Sequence, residues 1–176
     1  MSYVFGGLIF KKGASLTDNS ILNLVGRGSE TNSAVINMED ATSSAFDGVG
    51  IARLNDLLMV FGIDIPHSCS FENEPLSILD RDLETLSKEG DILCFSVNGR
   101  MNTYAWSIYS NGRRGRTKAI AEGKILSNIG SETKYDRGIQ ANEGGMIKLI
   151  ENFTGHKYGD LIFEKEIPVK AYYDSK

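Results

Sequence analysis

The chain has 176 residues, of which 41% are hydrophobic and 24% are charged, and its formal net charge is −4. This composition is typical of a soluble globular protein, and no apolar run approaches the ~20 residues of a membrane-spanning helix. The N-terminal segment has no secretory signal pattern, which predicts a cytoplasmic protein without a membrane partner. The length fits one domain over 1–176, or two lobes, 1–64 and 74–176, that share one sheet or core.

The charges are distributed unevenly along the chain. Residues 1–91 contain fourteen Asp and Glu against six Lys and Arg, a balance of −8, and residues 92–176 contain nine against thirteen, a balance of +4. Such an asymmetry is compatible with an ordinary solvated surface. The alternative is that it steers a charged partner toward one end of the molecule.

The first third of the chain reads as strand, helix and strand. Residues 3–11 form the first predicted strand, and the glycine pair that begins at Gly6 indicates a bulge or a close backbone approach. The segment 15–18 has the chemistry of a capping box and predicts a short helix. Residues 34–38 are expected to form a second strand, followed by a polar connection over 39–48.

Two apolar runs, 49–54 and 57–63, are separated by Asn-Asp, which predicts a hairpin. The second run is almost entirely apolar and is therefore expected to be a strand buried on both faces. At the far end of the chain, residues 167–173 suit a terminal strand, and Pro168 favours an edge position for it.

Two further helices are predicted. One opens at Asn73 and covers 75–89, where four leucines recur at intervals of three and four residues and form one apolar stripe. The other covers 143–154, with apolar residues on one face and Gly155 as its stop.

The central stretch 90–118 predicts a three-stranded antiparallel meander. Its strands are 92–97, 103–109 and a basic strand over 113–118, and Asn-Gly dipeptides at the two connections are strong turn signals. Side chains alternate along a strand, so Tyr104, Trp106 and Ile108 are expected on one face.

The order of these elements predicts an α+β fold, in which a central meander belongs to an antiparallel sheet and about three helices pack on one face of it. The sheet is expected to contain 57–63, 92–97 and 103–109. Trp106 is expected in the core between this sheet and the helices.

The paired carboxylates do not indicate a catalytic centre. Glu39 and Asp40 directly follow the predicted strand 34–38, and adjacent residues of an extended chain point to opposite faces. Asp80, Asp82 and Glu84 are expected on the solvent side of an amphipathic helix. No Ser/His/Asp arrangement, metal-ligand cluster or phosphate loop is present in the sequence, which predicts a protein that is not an enzyme and binds no cofactor or metal.

The two cysteines admit two interpretations. Cys69 follows His67 in a loop and is expected to be accessible, whereas Cys94 lies inside an apolar strand as a small hydrophobic side chain. The simpler interpretation is a loop thiol near a loop imidazole. The alternative is a small enzyme or ligand-binding module whose pocket is formed by His67, Cys69 and the meander.

The basic run 113–118 also has two interpretations. On a regular strand, Arg114, Arg116 and Lys118 line one face, where aromatic neighbours would help them to grip phosphate or single-stranded nucleic acid. The favoured interpretation is a hairpin that is kept soluble by its charge. The acidic net charge argues against nucleic acid as the principal partner.

Three segments carry a resemblance to a group of small bacterial domains: GDILCFSVNGRMNTYAWSIYSNGRRGRTK, the glycine-bounded segment 123–130 and ENFTGHKYGD. They share with that group an aromatic strand, an Asn-Gly turn, a basic strand, a short strand and a late helix, mainly over 90–160. Some domains of that style are immunity proteins encoded beside polymorphic or contact-delivered toxins. The resemblance implies a protein that binds and neutralises a cognate bacterial toxin.

An inhibitor of this kind needs a surface complementary to its toxin. Glu39, Asp40, Asp47 and Asp56 lie in or beside predicted loops of the acidic half and are expected to meet a basic toxin cleft. The alternative for each of these carboxylates is an ordinary role in solubility.

Overall fold

Nine strands of the described residues form one open sheet in which every neighbouring pair is antiparallel. The computed structural model describes residues 3–27, 32–69, 71 and 75–173. The strands are β1 (Val4–Phe10), β2 (Asn32–Ile36), β3 (Val49–Leu54), β4 (Leu57–Phe61), β5 (Ile92–Asn98), β6 (Thr103–Ser110), β7 (Arg113–Ala121), β8 (Lys124–Ile129) and β9 (Val169–Tyr173). Their order across the sheet is β2-β9-β3-β4-β1-β5-β6-β7-β8.

Four α-helices are present in the described part of the chain, together with shorter helical turns. The α-helices are α1 (Asp18–Leu24), α2 (Met38–Ala41), α3 (Ile78–Leu86) and α4 (Glu143–Thr154). Ile65–Ser68 and Gly99–Met101 form 3-10 turns, and Asp160–Glu164 forms one turn of π-helix. An antiparallel sheet with separate helices confirms the predicted α+β fold.

Helices cover both faces of the sheet, and the prediction that they share one face is wrong. We call the two sides the Trp106 face, which α2 and α4 cover, and the Cys94 face, which α1 and α3 cover. Alternate residues of β1 enter the two cores: Phe5 and Ile9 face one side, and Leu8 faces the other. The reason is that β1 and β4 at the centre of the sheet are apolar on both sides, so each side needs a cover.

The last strand lies inside the sheet and not at its edge. β9 pairs with both β2 and β3, and Pro168 immediately precedes its first residue, so the ring does not remove a ladder hydrogen bond. The predicted edge position is therefore wrong. Strands from both 1–64 and 74–176 interleave in this one sheet.

The hairpin between β3 and β4 and the helix over 143–154 occur as predicted. Asn55 in the hairpin turn and Gly155 after α4 both adopt positive φ angles, 53° and 76°. Asn111 and Gly112 also have positive φ angles, as a two-residue turn between twisted strands requires. The connection from β5 to β6 is longer than a two-residue turn, because a 3-10 turn occupies it and Asn102 takes the left-handed conformation.

Three helix starts differ from prediction. α3 begins at Ile78 and is capped by Ser77. The Ser77 hydroxyl accepts a hydrogen bond from the Asp80 amide at 3.0 Å, and the Asp80 carboxylate accepts one from the Ser77 amide. The predicted start, Asn73, lies outside the described residues. α1 is capped by Thr17, one residue before its start. The predicted polar connection 39–48 contains most of α2, which is capped by the Asn37 side chain.

Candidate functional site

A cavity of about 390 Å³ opens on the Cys94 face, between the turn Ile65–Ser68 and strands β5 to β8. We call it the Cys69 pocket. Small side chains on four adjacent strands form its floor, and they are cross-strand neighbours in the antiparallel register: Ser96, Ala105, Ala119 and Ser127. Because these side chains are short, they leave space above the sheet that larger residues would fill.

The walls of the Cys69 pocket come from opposite ends of this row. The 3-10 turn supplies Pro66 and His67 on one side. Pro66 lies over Gly6 of β1, where a Cβ atom would come within 2.5 Å of the proline Cγ. Glycine therefore allows the turn to pack directly on the sheet, which is the close approach that the sequence indicated. Leu126, 67% exposed on the edge strand β8, forms the other wall.

Two thiols meet on the side of the pocket that the 3-10 turn forms. Cys69 lines the pocket and is only 7% exposed, so the prediction of an exposed loop thiol is wrong, while Cys94 is fully buried in β5. Their Sγ atoms are 3.0 Å apart, and both cysteines are free. Burial, together with the contact with Cys69, holds the pKa of the Cys94 thiol well above its ordinary value. The sequence gives no local sign of this pair, because the two residues are 25 positions apart.

The lining of the Cys69 pocket is mainly apolar, and besides Cys69 it contains four side chains that can exchange hydrogen bonds. They are His67, Ser96, Thr103 and Ser127. Pockets of this volume and polarity are typical of small-molecule sites. The structure thus brings His67, Cys69 and the meander strands to one cavity, as the ligand-binding interpretation requires.

The basic run does not line one face. Tyr109 pairs with Arg114 while its neighbour Ile108 pairs with Arg116, so Gly115 is the extra residue of a β-bulge. The bulge sends Arg114 to the Cys94 face and Arg116 to the Trp106 face. Each guanidinium is almost fully buried beside a carboxylate. The face of three cations that was predicted for nucleic acid is therefore wrong.

Arg116 and Asp136 form a buried ion pair on the Trp106 face, with Nε and Oδ2 2.7 Å apart and side chains 3% and 0% exposed. Trp106 donates from Nε1 to the same carboxylate oxygen, and Thr133 donates twice to the other. Arg116 also donates hydrogen bonds to the Asn128 side chain and to the backbone carbonyls of Ile129 and Gly130. Burial alone raises the pKa of Asp136, but these donors outweigh it and hold the pKa below its ordinary value.

Asp80 is buried and not on the solvent side of its helix, which corrects the prediction. Its Oδ1 accepts from the Tyr109 hydroxyl at 2.5 Å and lies 3.6 Å from Arg114. Burial is the main reason that the pKa of Tyr109 lies far above its ordinary value. Glu84, one turn later, is half-buried and accepts from the Arg114 amide. These contacts hold α3 against the meander and stabilise the fold.

The four predicted partner-binding carboxylates are exposed but do not form one group. Glu39 and Asp40 lie in α2, within a helical turn and not on a strand. Asp47 precedes β3, and Asp56 lies in the hairpin turn after it. The six-residue strand β3 lies between these last two and is ~20 Å long. Asp56 therefore stands at the opposite end of the strand from Asp47.

Glu39 lies beside an exposed aromatic residue that the sequence did not indicate. Phe163, in the π-helical turn, is 58% exposed and separates two grooves of about 560 and 240 Å³. Glu39, Ile162 and Phe163 line both grooves, and we call them the Phe163 surface. Each groove carries both signs of charge, because Glu39 lines both, Lys165 lines the larger groove and Arg100 lines the smaller one.

Within the described ranges, no three His, Cys, Asp or Glu side chains are grouped so that they could hold a metal ion. The same residues include no helix with the length and apolar character needed to cross a bilayer. Comparison with known proteins gives no match, whether to a family model, to a curated protein or to a solved structure.

Proposed function

We propose that the protein is a ligand-binding module and that the Cys69 pocket is its binding site. The observation that carries this proposal is the pocket itself, a cavity of about 390 Å³ with a floor of small residues and a mainly apolar lining. Binding sites for small molecules commonly have volumes of roughly 300 to 1,000 Å³ and a few polar groups that orient the ligand. We place this activity in the cytoplasm.

The lining defines the class of ligand. Its apolar surface favours a molecule that is mostly hydrocarbon or aromatic. The hydroxyl groups of Ser96, Thr103 and Ser127 and the imidazole of His67 can each exchange a hydrogen bond with a neutral polar group. Among the described residues that line the pocket there is no Asp, Glu, Lys or Arg to pair with a charged ligand. The ligand is accordingly a small, uncharged molecule with one or two hydrogen-bonding groups.

Titration with the neutral apolar dye Nile red tests this proposal. The wild-type protein is expected to enhance dye fluorescence saturably, with one dye per chain. Ser127→Phe fills the pocket from the half-buried floor position on β8, and we expect it to weaken dye binding at least about tenfold.

Ser131→Phe is the matched control, because Ser131 is exposed four residues further on and lies outside the pocket lining. It should leave dye affinity unchanged. If neither variant alters binding, or if the wild-type protein shows no saturable binding, the Cys69 pocket is not the site. Circular dichroism of both variants checks that each is folded.

A second candidate function is neutralisation of a cognate bacterial toxin, and the Phe163 surface favours it. An exposed aromatic side chain between two grooves is a typical anchor of a protein–protein interface, where a few such residues supply most of the affinity. Glu39 stands beside this anchor and Asp40 follows it in α2, so both can meet basic groups of a toxin.

Co-purification with the product of the neighbouring gene tests this second function. If a complex forms, Phe163→Ala should weaken it at least about tenfold. Glu39→Lys should slow association, whereas Asp56→Lys, the same charge reversal at a distant hairpin, should not. Failure of any neighbouring product to bind, or failure of expression to protect cells from a toxic neighbour, would refute the toxin proposal and leave the ligand proposal intact.

A further inference from the structure

The two thiols of Cys69 and Cys94 lie close enough to be joined by a disulfide, whether or not the pocket holds a ligand. The Sγ atoms of Cys69 and Cys94 are in contact at 3.0 Å, and a disulfide requires about 2.05 Å, so bond formation needs a movement of only about 1 Å. Cys94 is fixed in the middle of β5, which pairs with β1 and β6. Cys69 ends the 3-10 turn Ile65–Ser68 in an extended conformation, with its amide bonded to the Pro66 carbonyl. The turn can make the small movement because it is not part of the sheet.

The two thiols also differ in access. Cys69 is only 7% exposed but lines the pocket, so we expect a molecule as small as hydrogen peroxide to reach its sulfur from the cavity. Cys94 lies behind it and is fully buried. An oxidant therefore meets Cys69 first. The raised pKa of Cys94 agrees with this order, because a thiol that stays protonated is a poor initial nucleophile.

We propose that Cys69 and Cys94 form a reversible redox pair, in which a hydroperoxide oxidises Cys69 and Cys94 then closes an intramolecular disulfide. In the first step the Cys69 thiolate attacks one peroxide oxygen, the O–O bond breaks, and hydroxide leaves and is protonated to water. In the second step the Cys94 sulfur loses its proton and attacks the Cys69 sulfur of the sulfenic acid, whose S–O bond breaks to release a second water. The two thiols together lose two electrons, and the peroxide gains them.

The disulfide would tie the turn Ile65–Ser68 to the centre of the sheet and close a loop of 25 residues that contains α3. Closing a loop of this length removes conformational freedom from the unfolded chain. We therefore expect oxidation to raise the melting temperature by roughly 10 °C, and a thiol reductant to reverse the change.

The experiment uses the full chain, reduced, freed of reductant and then treated with one equivalent of hydrogen peroxide. Intact mass spectrometry should show the loss of two hydrogen atoms, and peptide mapping should find Cys69 linked to Cys94 within one chain. Cys94→Ala should leave a sulfenic acid on Cys69 that dimedone traps. Cys69→Ser is the matched variant, because its side chain is similar in size and keeps Cys94 covered, and it should give no dimedone adduct on Cys94.

Three results would overturn the proposal. Both thiols could remain titratable after peroxide treatment, Cys69 could proceed to sulfinic acid while Cys94 stays reduced, or the only cross-link could join two chains. The wild-type peptide map decides between these results and the proposal even if one cysteine variant does not fold. Nile red binding plays no part in the readout, so failure of the ligand proposal leaves this test unaffected.

Discussion

The buried ion pair between Arg116 and Asp136 makes the sharpest prediction about stability. Asp136→Ala removes the carboxylate and leaves the guanidinium of Arg116 in a site that is 3% exposed. An uncompensated buried charge typically costs about 3–5 kcal/mol of unfolding free energy. A single domain has only about 5–15 kcal/mol in total, so this one substitution should remove a large part of its stability.

A double-mutant cycle separates the pair from its surroundings. Arg116→Met removes the charge and keeps most of the side-chain length, while Asp136 retains its donors Trp106 and Thr133. Asp136→Leu alone removes the carboxylate, and Arg116→Met combined with Asp136→Leu replaces the pair by apolar side chains, a change that is often neutral or stabilising. We expect the double variant to be more stable than the sum of the single effects predicts, by at least about 1 kcal/mol.

Urea unfolding, followed by the fluorescence of Trp106, the single tryptophan, measures these differences. In thermal unfolding the same loss corresponds to a melting temperature lower by about 6 to 20 °C for Asp136→Ala. Asp64→Ala is the control, because Asp64 pairs with Arg27 at 3.7 Å and is largely exposed. Exposed pairs contribute about 0–1 kcal/mol. If Asp136→Ala costs no more than Asp64→Ala, or if the cycle is additive, the buried pair does not stabilise the fold as argued.

Three buried side chains, Trp106, Tyr109 and Asp136, allow further tests of the packing on both faces of the sheet. Trp106→Ala should cost about 3–5 kcal/mol, because the side chain is fully buried between the sheet and α4, and an unchanged melting temperature would contradict this. The pKa of Tyr109 is raised in the folded state, so the contribution of Tyr109 to the free energy of unfolding is complete below its unfolded pKa of about 10 and declines as the pH rises above that value. In Tyr109→Phe, the urea midpoint should therefore fall less steeply with alkaline pH than in the wild-type protein. The pKa of Asp136 is lowered in the folded state, so the contribution of Asp136 to the free energy of unfolding is complete above about pH 4 and is lost as the pH falls through its folded pKa. In Asp136→Asn, stability should therefore fall less steeply with acid pH than in the wild-type protein. An unchanged dependence on acid pH would contradict this assignment.

The sequence by itself determined the elements whose signals are local. The helix over 143–154 has its cap, its apolar stripe and its terminal glycine within one segment, and it forms as α4. The hairpin between β3 and β4 follows from two apolar runs around Asn55. Alternation along β6 placed Trp106 in the core, because successive side chains of a strand face opposite sides of the sheet.

The candidate site was only partly predictable. His67 and Cys69 are two positions apart, in and just after the same turn, so the sequence itself places them close together. Their proximity to the meander was one of two interpretations of the sequence. The floor row of four small side chains could not be found, because it exists only when four strands are paired in one register. The Phe163 surface likewise depends on a π-helical turn that leaves one aromatic residue outside the core.

Only the tertiary structure decided which residues face each other across the sheet. A bulge at Gly115 reverses the direction of Arg114 relative to Arg116 and converts a supposed basic face into two buried ion pairs on opposite sides. Insertion of β9 between β2 and β3, and the meeting of Cys69 with Cys94, depend on pairings between distant segments. Such pairings are set by the competition among all strands for partners and for burial, whereas a residue pattern records only the preference of its own segment.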